Sequence, residues 1–101
     1  MVRAVQRTLK WVHAVSPETF AEAIAAYFPA VETAKLARCL ARYKALGIWG
    51  RDCRLPRAGC EQLARSLVSG GFVPKSAPFE VAVDNSLADE VLRANLPALA
   101  R

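Results

Sequence analysis

Cys39, Cys53 and Cys60 are the three thiols of this sequence, and their number and spacing limit what they can do. Three thiols cannot all pair within one chain. No Cys-x-x-Cys occurs and the only histidine, His13, is far away in sequence, so the zinc patterns are absent. Cys39 falls on an apolar helical stripe and is expected to be a small core residue. A Cys53–Cys60 bridge stays open for an oxidising compartment. His13 lies at the end of the first predicted helix and reads as a surface or capping residue, since a catalytic base would need a serine or cysteine beside it. Asp89 and Glu90 are adjacent, which on a helix sets them about 100° apart and not on one face. Gly70-Gly71 ends a helix, whereas a phosphate cradle needs glycine before one. Trp11 and Trp49 can stack on a ligand, or pack half-buried with the indole N–H turned outward. Trp49 is the one candidate for a ligand or hinge role. No catalytic residue, metal ligand or cofactor is expected, and the chain reads as non-enzymatic.

The frame that positions these residues is set by composition. The chain has 101 residues, 53% of them hydrophobic, enough for one domain or part of one with a core of modest margin. Its 14 Lys+Arg against 9 Asp+Glu give a net charge of +5. Such a balance permits nucleic acid or an anionic membrane surface as partner. The cations are scattered, however, as on solvated helix faces, and nucleic acid is not expected. No apolar run is long enough to span a membrane. The first seven residues carry Arg3 and Arg7 and lack the continuous apolar stretch of an export signal, so the chain made alone is expected in the cytoplasm.

The elements read as helices in series. Val2, Val5, Leu9 and Val12 recur at helical spacing and predict a helix ending near Ala14. Ser16-Pro17-Glu18 is a start signal: a serine cap, proline in the first turn, then an acid. Phe20, Ile24, Tyr27 and Phe28 form the stripe of the helix it opens, and Pro29 stops it. The next helix runs from about Glu32 to Leu46, with Leu36, Cys39, Leu40, Tyr43 and Leu46 on one face and Lys35, Arg38 and Arg42 on another. Gly47 supplies a left-handed cap. Together these make a helical hairpin with Trp49 as an aromatic plug. Ile48 to Leu55 is a loop with a turn at Gly50-Arg51-Asp52. Pro56 opens a helix with the stripe Cys60, Leu63, Ala64, Leu67 and Val68, stopped by Gly70-Gly71. Pro74 to Pro78 should be extended. Phe79, Val81 and Val83 alternate as in a strand, and a short irregular segment or helical turn competes closely. Asp84-Asn85-Ser86 caps a last helix carrying Leu87, Val91 and Leu92, which Pro97 ends, with 94–101 as a tail.

Three phrases then carry a resemblance: Ala4 to Trp11, Ala41-Arg42-Tyr43-Lys44-Ala45-Leu46-Gly47-Ile48-Trp49, and Val83-Asp84-Asn85-Ser86-Leu87-Ala88. With the serine-started helix, Ala58 to Leu63 and Gly70-Gly71-Phe72-Val73 between them, their order resembles the C-terminal part of ABC-transporter solute-binding proteins of the nitrate/sulfonate/taurine type. That group includes the binding proteins for thiamine-pyrimidine precursors. The likeness spans about Met1 to Leu92 and departs at Asp52-Cys53, where relatives often have Asp-Pro, and at Cys60, where they often have an aromatic. It implies that residues 1–101 form a single unit, mainly α, which is the helical C-terminal part of a two-lobed α/β periplasmic binding fold (type II). It further implies a small anion, sulfonate or pyrimidine precursor as solute, an ABC permease as partner and the only link to the membrane, a periplasmic location for the full-length family, and no catalysis. Cleft residues in that family lie mostly in earlier sequence, so no ligand-binding residue is carried over. Two other classes stay open: a small basic helical protein that binds nucleic acid, and a helical module that binds a protein partner.

Overall fold

A computed structural model describes residues 1–99. Six helices follow in order: α1 Val2–Ala14, α2 Pro17–Ile24, α3 Thr33–Leu46, α4 Arg57–Ser69, α5 Phe79–Ala82 and α6 Ser86–Arg93, with a 3₁₀ turn at Ala25–Tyr27. No strand occurs among the described residues. The mainly helical expectation holds.

The start of α2 follows its sequence signal. Ser16 is extended, its Oγ accepts from the Thr19 N–H at 3.1 Å, and Pro17 occupies the first turn. Gly47 ends α3 at φ 69°, where a side chain would be strained. Between these two signals α2 and α3 fold back on each other, the most extensive helix contact in the molecule. Ala21 is fully buried, and a residue that small lets the two backbones approach closely. Trp11 and Val12 from α1 join Phe20, Ala21, Leu36, Ala37 and Leu40 in one core, with Trp49 packed against it. On another side, α1 meets α6, whose Ala88 and Val91 are buried. We call α1, α2, α3 and α6 the body.

Several expected core positions are exposed. Tyr27 and Phe28 leave the α2 stripe because the helix tightens into the 3₁₀ turn, where the period drops to three residues. Pro29 also bars Phe28 from helical geometry (φ −130°, ψ 62°). On α3 the buried face is Leu36, Ala37 and Leu40, turned toward Ala37. Cys39, Tyr43 and Leu46 are therefore left exposed, Tyr43 with its ring against Trp49. Trp11, in contrast, is buried and not half-exposed. Phe79 to Val83 makes the helical turn α5 and no strand. The last helix stops at Arg93, before Pro97, and Asn95 adopts φ 45°. Of the tail 94–101, residues 100 and 101 lie outside the described residues. The rest folds back on α1, where the Arg7 carbonyl accepts from the Leu99 N–H at 3.2 Å.

The largest departure is α4. None of residues 41 to 87 is buried, so the stripe Cys60, Leu63, Ala64, Leu67 and Val68 has no core to enter. The main helix contact of α4 is with α5. Residues 57 to 83 thus form an arm beside the body. The consequence is global. The chain exposes 7498 Å², where a compact monomer of 11.0 kDa exposes about 5,600 Å². Its radius of gyration is 16.5 Å, against about 13 Å for a compact chain of this length.

Candidate functional site

Trp49 sits where the sequence places it, just past the α3 stop. Its ring centroid lies 5.3 Å from Phe20 and 6.0 Å from Tyr43, and Phe20 meets Trp11 edge-on at 5.5 Å. The four rings form a row from the core to the surface, an arrangement aromatic quadrupoles favour. Trp49 is half-buried at the outer part of this row and seals the open end of the α2–α3 hairpin.

The other chemically able residues do not converge. The Nε2–H of His13 donates to the Gly50 carbonyl at 2.9 Å, which holds the loop after Trp49. Cys39, Cys53 and Cys60 are free thiols on α3, in the loop and on α4 respectively. Asp89 pairs with Arg54, while Glu90 is exposed. Asp84 Oδ1 accepts from the Ser86 N–H at 2.9 Å, and this bond holds its carboxyl below the usual carboxylate range. No group of three or more His, Cys, Asp or Glu among the described residues is placed to hold a metal. No helix among them is long and apolar enough to cross a membrane.

Two features were not foreseen. The first is a polar clasp at the base of the arm. The Asn85 side chain accepts from the Leu55 N–H and donates to the Leu55 carbonyl, both at 3.0 Å. Two residues earlier in the loop, the Cys53 N–H donates to Oε1 of Gln6 at 2.9 Å. Gln6 is the one buried polar residue among those described. Gln6 stands four residues after Val2 and three before Leu9, so a polar residue on an apolar stripe was a readable signal. Asn85 gave a weaker one, since Asp84-Asn85-Ser86 reads simply as a cap. It is Asp84, not Asn85, that turns its side chain to the helix start.

The second is a groove of about 420 Å³ between α4 and the segment ahead of and including α5. Cys60, Ala64, Phe79, Ala82 and Val83 give it apolar walls. At its edge the Arg57 guanidinium lies 4.6 Å above the Phe79 ring and pairs with both Glu80 and Glu61. The hydrogen bond from Arg57, helped by a backbone N–H, holds the Glu80 carboxyl below the usual range, and Glu80 in turn raises Arg57. This ion pair braces α4 against α5. No family model, curated protein or solved structure matches the chain.

Proposed function

We propose that this chain is the helical C-terminal portion of a solute-binding protein of the nitrate/sulfonate/taurine type, serving an ABC importer of a small anion, sulfonate or pyrimidine precursor. The observation that carries the reading is the surface excess, roughly 1,900 Å² over a compact monomer, with the arm wholly outside the core. That is more than a standard interface buries on one partner. It suits a helical layer that covers an α/β body. Leu63, Leu67, Val68 and Phe72 are the exposed apolar groups such a body would cover.

The resemblance supports the same reading, because its phrases coincide with structural joints. Ala41 to Trp49 is the end of α3 with its cap and plug, and Val83 to Ala88 is the clasp and the start of α6. The mechanism is capture without chemistry: two lobes close on a solute by a hinge and hand it to the permease. This chain supplies at most one wall of such a cleft, and Trp49 is its candidate contribution to cleft or hinge. A basic helical protein that binds nucleic acid is the second reading. It rests on α3, which has four cations and no acid, with Lys35, Arg38 and Arg42 exposed and without ion pairs among the described residues.

The test fuses the α/β body of a family member ahead of Met1 and titrates nitrate, taurine, an alkanesulfonate and a pyrimidine precursor by calorimetry. The fusion should bind one of them at micromolar affinity while the 101-residue chain binds none. Micromolar binding by the chain alone, or a fusion that folds and binds nothing, overturns the reading. Salt-dependent binding of duplex DNA by the chain would favour the second.

A further inference from the structure

The segments that flank the arm are fixed by polar groups at one place. From Gly50 to Leu55 the loop is held by His13, Gln6, Arg54 with Asp89, and Asn85, each reaching from or to α1 or the start of α6. Within the arm, Arg57 ties Glu61 on its own helix to Glu80 on α5 and covers the Phe79 ring. The arm is therefore braced internally, yet it contributes no buried residue to the core. Both of its roots are extended: Pro56 at ψ 140° and Val83 at ψ 128°. Between those roots stands Asn85, which reproduces with one side chain the donor and acceptor of a peptide group and satisfies Leu55 on both sides.

We propose that residues 57–83 are a strap carried on this clasp: the two hydrogen bonds of Asn85 to Leu55 set the pose of the strap, and their release lets it swing as one piece while the body stays folded. Side-chain hydrogen bonds that water can replace are individually weak, so such a clasp opens far more readily than the apolar core. The inference concerns the 101-residue chain itself and does not depend on which solute, if any, it serves.

The experiment measures a distance between strap and body. Nitroxides are placed on Cys39 of α3 and on Ser69→Cys at the end of α4, with Cys53→Ser and Cys60→Ser to leave two labels. With Asn85 present the distance distribution should be narrow. In Asn85→Ala the population of displaced poses should rise about tenfold, as the loss of two modest hydrogen bonds implies. Helix content by circular dichroism and tryptophan emission, which reports Trp11 and Trp49, should not change. Asn85→Asp keeps the acceptor for the Leu55 N–H and loses the donor, so its distribution should fall between the two. An unchanged distribution in Asn85→Ala overturns the proposal. So does loss of helix and of tryptophan emission together with the distance, because the clasp would then be part of the core. An Asn85→Asp distribution equal to that of the unsubstituted chain overturns the two-sided grip.

Discussion

The body and the arm are built from similar residues and reach opposite ends. Helices α3 and α4 have nearly the same length, each carries an apolar stripe and each is closed near a glycine. On α3, Leu36 and Leu40 are 8% and 5% exposed, whereas on α4 Leu63 is 62% exposed. The difference lies not in the helix but in its neighbour: α3 has α2 lying along it, and α4 has one turn of helix. An amphipathic stripe states that a helix wants a partner and says nothing of whether this chain supplies it.

That contrast can be broken by mutation. Phe20→Ala removes the ring that joins Trp11 to Trp49 and should cost about 3–5 kcal/mol, a large fraction of the stability of a domain of this size. Leu63→Ala should change stability by less than about 0.5 kcal/mol. Urea titration followed by circular dichroism compares them; equal costs would mean the arm is part of the core. Trp49→Ala should follow at about 2 kcal/mol, since the half-buried ring loses Phe20 and Tyr43. In the fusion with an α/β body, lost affinity at retained stability would instead place Trp49 in the cleft or hinge. Gln6→Leu leaves the Cys53 N–H without its acceptor and should cost about 1–2 kcal/mol, with faster hydrogen exchange at Cys53. Leu67→Ser with Phe72→Ser should leave the melting curve in place and reduce the binding of an apolar dye, sharpening the assignment of the exposed face to the arm.

Acid should separate the two regions last and least. Glu80 and Asp84 are both held below their ordinary range by hydrogen bonds in the folded chain. A depressed folded value contributes stability above the unfolded value, and that contribution is lost as pH falls through the folded one. The brace between α4 and α5 should therefore be intact at neutral pH and fade only below the ordinary carboxylate range, a small effect because both groups are exposed. Amide protection in residues 57–83, taken relative to the intrinsic exchange rate at each pH, that falls in acid before any change in tryptophan emission would match. A loss near neutrality would not.

Helix starts and stops were legible because they are local chemistry. Ser16 before Pro17 and Gly47 after Leu46 each satisfy a backbone requirement that neighbours in sequence define. The buried face was legible only in part. Periodicity put Cys39 and Tyr43 on the stripe beside Leu36 and Leu40 and left out Ala37, which the approach of α2 buries. Tyr27 and Phe28 were misplaced because a helix that tightens into a 3₁₀ turn changes period without changing composition. What Gln6 and Asn85 would bind was hidden for a different reason. Their partners are backbone groups 47 and 30 residues away, and a backbone N–H has the same appearance at every position in a sequence.

The pairing of α1 with the end of the chain bears on the order of events in folding. Lys10 Nζ donates to the Leu96 carbonyl at 2.5 Å and to Asn95 Oδ1 at 3.0 Å, across 86 and 85 residues. Closing a loop of that size costs chain entropy that grows only with the logarithm of its length, but the contact cannot form until the last helix exists. On a ribosome α2 and α3 can associate as soon as both have emerged, with Trp11 and Val12 of α1 packed on them, whereas the side of α1 that meets α6 must wait for every intervening residue. Until then its α6-facing surface is uncovered, and the nascent chain carries two unclosed faces instead of one.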